Sequence, residues 1–75
     1  MRELVETIAK ALVDNPDEVR VTEVESDGIL EVKLQVAQSD MGRVIGRGGK
    51  IAKAIRAVVK AASSRDDRTV FVDIE

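Results

Sequence analysis

Three glycines stand within four residues at Gly46-Arg47-Gly48-Gly49, and this turn is the part of the sequence best suited to binding a ligand. Glycine has no side chain, so a glycine-rich turn lets its backbone approach a ligand closely. A predicted helix begins directly after the turn, and the first amides of a helix lack partners at the positive end of its dipole. The turn therefore predicts an anion site, and we interpret the anion as the phosphodiester of a nucleic acid.

The side chains around the turn fit the same interpretation. Arg47 and Lys50 place mobile positive charge at its tip. Aliphatic residues beside it, with Ile55 as a further contributor, are expected to line a groove for the bases. The expected binding residues are Arg43, Val44, Ile45, Gly46, Arg47, Gly48, Gly49, Lys50, Ile51 and Lys53.

Two other phosphate-binding motifs do not fit the spacing of this turn. A P-loop requires glycine five residues before Gly49 and serine or threonine after Lys50, and those positions hold Val44 and Ile51. A dinucleotide-binding turn that starts at Gly46 requires a glycine at position 51 and should follow a strand. The remaining alternative is a tight turn in which glycine only caps the first helix. The basic residues that follow favour the anion site.

Charge is unevenly distributed along the chain. The 12 basic and 14 acidic residues give a net charge of −2, which by itself does not suggest a nucleic-acid partner. The segment from Met41 to Arg65, however, contains seven of the basic residues and none of the acidic ones, so it carries +7 and the remainder −9. A block of one sign produces a local field that attracts phosphate, although such a block is often only a solvated helix face.

Residue types that the sequence lacks argue against several functions. There is no cysteine and no histidine, which removes disulfides, thiolate metal sites and the commonest general base. We therefore expect no metal, no cofactor and no catalytic activity, and we interpret Asp66-Asp67 as a solvated loop. Phe71 is the only aromatic residue, so the chain cannot offer a stacking platform of several rings.

Helical periodicity appears before and after the turn. Leu4, Ile8 and Leu12 predict a helix over residues 3–13, which the proline at position 16 cannot continue. A short helix over residues 40–45 is expected next, with Ser39-Asp40 supplying its N-cap. The last helix is expected to run from Gly48 or Gly49 to about Ser63. Its apolar stripe consists of Ile51, Ile55, Val58, Val59 and Ala62.

Three further segments alternate apolar and polar residues, as half-buried strands do. They extend from Val19 to Val24, from Leu30 to Val36 and from Val70 to Ile74. The alternation slips in the first segment, and Asp27-Gly28 predicts a hairpin between the first two.

The resulting order, α-β-β-α-α-β, predicts an α+β fold that forms a single domain over residues 1–75. Each strand has one apolar face, so we expect a three-stranded sheet with all three helices on one side and a polar face on the other. No apolar run is long enough for a signal peptide or a membrane span, so we expect a cytoplasmic protein that makes no membrane contact.

The segment Ile45-Gly46-Arg47-Gly48-Gly49 between two helices resembles the KH signature, Ile-Gly-x-x-Gly, and the order of elements resembles the type II KH fold. More narrowly, three stretches are similar to the bacterial KhpA family of stand-alone KH proteins. They are residues 3–16, residues 40–46 and residues 51–56. The resemblance covers the whole chain. One departure is Gly48, because that loop position is often basic or polar in such proteins.

The resemblance implies single-stranded RNA binding, with the loop clamping the backbone of about four nucleotides. It also implies a role as a bacterial RNA chaperone or post-transcriptional regulator. KhpA-like proteins self-associate and pair with a larger KH-containing protein, so a homodimer or such a heterodimer is expected as well.

The alternative function is a small dimerisation or scaffold module that pairs with another KH protein, and this function is compatible with RNA binding. Phe71 would be a contact point if it projected from the uncovered sheet face. We favour the interpretation that it is an edge or end residue of the core.

Overall fold

The elements of the structure follow the sequence pattern closely. The computed structural model describes residues 1–75. Its helices are α1 (Arg2–Leu12), α2 (Met41–Ile45) and α3 (Lys50–Ala62), and its strands are β1 (Arg20–Ser26), β2 (Ile29–Gln35) and β3 (Thr69–Ile74). Single turns of 3₁₀-helix cover Pro16–Glu18 and Gln38–Asp40, whereas Arg47–Gly49 is a tight turn with non-helical backbone angles. The predicted α+β fold and its α-β-β-α-α-β order are confirmed. No helix is both long enough and apolar enough to cross a membrane.

The three strands form one sheet in which β2 is central. β1 pairs antiparallel with β2 across the turn Asp27-Gly28, where φ is 50° and 77°. Positive φ at both turn residues matches the twist of hairpin strands, so the predicted hairpin is confirmed. β3 pairs with β2 in parallel, which requires the longer connection that α2 and α3 make.

Alternation along β2 determines which face of the sheet is buried. Leu30, Val32 and Leu34 are at most 2% exposed. They share one core with residues from all three helices, namely Val5, Ala9, Val44, Ile55 and Val59. Burial of these apolar side chains is the main force that holds the helices on this face.

The irregular alternation in β1 results from its position at an edge of the sheet. Val21 lies opposite Leu34 and is half-buried on the helix side, whereas Val24 lies opposite Glu31 on the other face. Glu23 and Glu25 therefore occupy the helix-side positions that apolar residues would fill in a central strand. Charged residues that point inward on an edge strand discourage pairing with another chain.

The other face of the sheet is uncovered. The register places Val24, Glu31 and Phe71 side by side on this face. Val24 is 46% exposed and Phe71 is 55% exposed. Phe71 is therefore not packed in the core, so its interpretation as an edge or end residue of the core is wrong.

Candidate nucleic-acid interface

The turn between α2 and α3 has a backbone conformation that favours glycine at three of its four positions. The φ angles are 74° at Gly46, 64° at Gly48 and 79° at Gly49. Side chains of L-residues crowd the backbone at these angles, whereas glycine adopts them freely. The amide of Gly46 donates to the carbonyl of Gly42 at 2.9 Å, and that of Gly49 donates to the carbonyl of Gly46 at 3.1 Å.

The glycines are required for different reasons. A Cβ atom at Gly46 would lie 2.4 Å from Cγ1 and 2.9 Å from the backbone nitrogen of Ile51. Gly46 therefore permits the close approach of α2 to the start of α3. A Cβ at Gly48 would meet no atom within 4 Å, so this part of the turn borders open space. The open side is where a ligand backbone has room to approach.

The N-terminus of α3 supplies donors beside that open side. α3 begins at Lys50, and no side chain caps its first turn. Its first amides lack partners within the helix, and the helix dipole is positive there. The turn and the helix start together form a site suited to a phosphate group.

The basic residues around this site are mostly free of carboxylates. Of the seven between Met41 and Arg65, only Arg43 forms a salt bridge, with Asp14 at 3.3 Å. The other salt bridges involve none of the seven. We call the remaining six the unpaired cations: Arg47, Lys50, Lys53, Arg56, Lys60 and Arg65. All six are exposed.

Asp40 holds α2 in place by an interaction that differs from the expected cap. It stands at the N-cap position of α2 but makes no cap hydrogen bond. Its carboxylate, 1% exposed, instead accepts from the amides of Asp14 and Asn15, both at 3.1 Å, and from Nδ2 of Asn15 at 3.0 Å. Burial raises the pKa of Asp40, but these hydrogen bonds and the charge of Arg43 outweigh it and lower the pKa overall.

The apolar residues expected beside the turn divide into two groups. Val44 is fully buried and Ile55 is 2% exposed, so both belong to the core and neither side chain is accessible to a ligand. Ile45, 38% exposed, and the half-buried Ile51 remain at the surface. Of the four aliphatic residues expected to line the groove, only Ile45 and Ile51 therefore reach the surface.

A cleft of about 700 Å³ opens instead between the second half of α3 and β3. We call it the α3/β3 cleft. Its lining includes Arg56, Val59 and Lys60 of α3, Ser63 and Ser64 after the helix, and residues 68–72. Arg56 and Lys60 were not among the expected binding residues. Their spacing from Lys53, three and seven positions, places all three on one helix face and could have identified them.

β3 offers a free edge to this cleft. The amide of Thr69 donates to Gly28 and that of Glu75 donates to Leu34, so the backbone groups of odd-numbered residues face β2. Those of Val70, Val72 and Ile74 face away, because successive residues of a strand alternate in direction. One of them is engaged, since Nε of Arg56 donates to the carbonyl of Val72 at 3.4 Å.

Comparison with known proteins gives a consistent result. The family model described as KhpA/KhpB, KH domain, matches residues 2–74. A Clostridium acetobutylicum protein named RNA-binding protein KhpA is 54% identical over 74 residues, covering 99% of both chains. A Listeria monocytogenes protein of the same name is 49% identical, covering 99% of this chain and 97% of the other.

Among solved structures, Era from Aquifex aeolicus superposes with a TM-score of 0.60 at 20% identity. The match covers 97% of this chain and 28% of that one, so it concerns one part of a larger protein. At this level of identity the likeness shows a shared fold.

Proposed function

The chain belongs to the KhpA/KhpB family of KH domains, and we propose that it binds single-stranded RNA by clamping the phosphate backbone with the loop from Gly46 to Gly49. Relatives at 49–54% identity carry the name RNA-binding protein. We propose a bacterial RNA chaperone or post-transcriptional regulator that acts in the cytoplasm and is not an enzyme.

The observation that carries this proposal is the set of unpaired cations. Acidic residues outnumber basic ones in the chain, yet none forms a salt bridge with any of these six. Such a surface has few internal counter-charges and gains most from a polyanion, because each phosphate contact releases bound counterions. The cations follow α3 from the turn at residues 46–49, which we call the phosphate turn, to the far end of the α3/β3 cleft.

The geometry suggests how backbone and bases would be held. Phosphates would accept hydrogen bonds from the first amides of α3. The positive charges of Arg47 and Lys50 would attract the same phosphates. Ile45 and Ile51 offer aliphatic contact, and the free edge of β3 offers donors and acceptors for base edges. Phe71 lies beside Glu31 on the uncovered face of the sheet but also borders the α3/β3 cleft, so it offers one exposed ring and no stacking platform. Base edges are available only when bases are unpaired, which favours single strands.

Salt dependence tests the clamp directly. If three or four phosphates are contacted, the logarithm of affinity should fall with the logarithm of salt concentration with a slope of roughly −2 to −3, from about −0.7 per phosphate on a single strand. Titration of a labelled RNA oligonucleotide at several salt concentrations gives the slope. The same sequence presented as a duplex serves as the comparison and should bind more weakly. Intact binding with a slope near zero, or tighter duplex binding, would contradict the clamp.

A second candidate function, self-association, is favoured by an apolar depression between α1 and α3. It has a volume of about 250 Å³ and is lined entirely by hydrophobic residues: Ile8, Leu12, Ile51, Ala54, Ile55 and Val58. Val58 is 45% exposed there. Two neighbouring residues of α3, Ala57 and Ala61, are small and exposed, so another helix could approach closely beside Val58. We propose that a second copy, or the KH domain of a related protein, packs on this surface.

Replacing Val58 by Glu should convert a dimer to a monomer and leave RNA affinity within about twofold, because the unpaired cations are unchanged. Burying the carboxylate of this glutamate in an apolar interface would cost binding free energy, whereas in the free monomer the carboxylate stays in water. Sedimentation at several protein concentrations would measure the change. Val24→Glu is the matched control, since Val24 is equally exposed, at 46%, but lies on the uncovered sheet face. Equal effects of both variants would rule out this surface as the interface.

A further inference from the structure

The loop between α3 and β3, residues 63–68, is held by one arginine. Nε and Nη2 of Arg68 donate to the two carboxylate oxygens of Asp66 at 2.9 and 2.7 Å, and the amide of Arg68 donates to the same group at 2.9 Å. Nη1 donates to Oε1 of Glu25 at 2.6 Å. The guanidinium therefore joins this loop to β1, on the far edge of the sheet.

This arrangement makes Arg68 unlike the unpaired cations. Its charge is compensated by two carboxylates, and its side chain is 33% exposed. The side-chain hydrogen bonds between Asp66 and Arg68 are the main reason that the pKa of Asp66 is lowered and the pKa of Arg68 is raised. Both groups therefore stay charged and bonded near neutral pH, and few donors of Arg68 are left for a phosphate.

The loop that Arg68 holds closes one end of the α3/β3 cleft. Ser63, Ser64 and Arg68 line the cleft at the C-terminal end of α3. The loop continues the helix as tight turns, with the amide of Ser63 donating to Val59 and that of Asp66 donating to Ser63, both at 2.9 Å. The phosphate turn lies at the other end of α3, about 20 Å away at ~1.5 Å per residue.

We propose that Arg68 is a positioning residue that, through Asp66 and Glu25, fixes the 63–68 loop as the end wall of the cleft. The fixed loop shapes a subsite for RNA beyond the four nucleotides that the phosphate turn clamps. This inference rests on the proposed RNA binding. A loop that is already ordered does not have to be ordered when RNA binds, which preserves affinity. Arg65, which is exposed in the same loop, would then contact the RNA strand from a defined position.

The test compares an octanucleotide with a tetranucleotide, both single-stranded RNA. Arg68→Gln and Asp66→Asn should each weaken octanucleotide binding by about five- to tenfold, because each frees the loop. Tetranucleotide binding and the salt slope should not change, since neither side chain contacts a phosphate. If Arg68 were instead a phosphate ligand, Asp66→Asn would release its guanidinium, tighten binding and steepen the slope. Opposite effects of the two variants would therefore overturn the proposal.

Three further measurements complete the design. Lys60→Gln removes an unpaired cation and should reduce the salt slope of octanucleotide binding by about 0.7. This variant tests whether the slope responds to the loss of one phosphate contact. Amide exchange of residues 63–67 should accelerate in Arg68→Gln. Glu25→Gln removes the negative charge from a single hydrogen bond and should weaken octanucleotide binding by about two- to threefold, which provides a milder variant should Arg68→Gln fold poorly.

The outcomes separate this inference from the proposed function. A parent protein that binds neither oligonucleotide would refute the proposed function. A parent protein that binds both oligonucleotides equally, or an Arg68→Gln variant that is folded and keeps full octanucleotide affinity, would refute the positioning role alone.

Discussion

Replacing Arg47 and Gly48 together by Asp is expected to abolish RNA binding while the fold remains intact. The change in charge at these two positions is from +1 to −2, at the point where the phosphate is expected. The new carboxylates would also occupy the free amides at the start of α3, because acids compete with phosphate for the positive end of a helix. We expect at least a hundredfold loss of affinity, or about 3 kcal/mol.

The structure explains why this double variant should fold. Arg47 is exposed and has no carboxylate partner, and a Cβ atom at Gly48 would meet nothing within 4 Å. The φ angle of 64° at Gly48 lies in the left-handed region, which Asp tolerates better than most residues. The expected cost is about 1 kcal/mol of unfolding free energy. Circular dichroism and thermal unfolding would confirm the fold, and an oligonucleotide titration would measure the loss.

A matched control exists elsewhere in the chain. Arg20→Asp with Gly28→Asp makes the same change in residue types and charge, and Gly28 also has a positive φ, 77°, with nothing near its Cβ position. This control should keep RNA affinity within a few-fold, since salt screens charges at a distance. If the folded Arg47/Gly48 variant binds RNA as well as the parent, the turn is structural and the proposed clamp is wrong. If it also loses self-association, the two surfaces overlap.

Gly46→Ala is expected to destabilise the whole protein. Its Cβ would overlap Ile51 at two atoms, one of them backbone, and its φ is 74°. Overpacking typically costs about 1–3 kcal/mol, and the strained backbone adds about 1 kcal/mol. The sum of about 2–4 kcal/mol is a large fraction of the stability of a domain of this size. It should lower the melting temperature by roughly 10–25 °C.

Gly42→Ala provides the control for this prediction. Gly42 lies inside α2, and a Cβ there would meet no atom within 4 Å. Alanine at such a site reduces the entropy of the unfolded chain and should raise stability by about 0.4–1 kcal/mol. Urea unfolding of both variants would measure the difference. A Gly46→Ala protein as stable as the parent would mean that α2 and α3 can separate without cost.

Much of the fold was predictable because it depends on local pattern. The alternation along β2 identified its buried residues, and Asp27-Gly28 identified the hairpin. The sequence also placed Phe71 in the last strand, but it did not show on which side of the sheet this residue lies. That depends on the register of β3 against β2, which pairs residues about 40 positions apart.

The sequence by itself determined the order of elements, the glycine-rich turn at residues 46–49 and the block of positive charge, because each depends on residues within a few positions of one another. Only the tertiary structure decided which side chains are accessible and which charges are free. Val44 was expected at the surface and is buried, because α2 packs on the core. Asp40 binds a segment about 25 residues away instead of capping its own helix. The α3/β3 cleft and the pairing of Arg68 with Glu25 arise where distant segments meet, and no local pattern encodes those contacts.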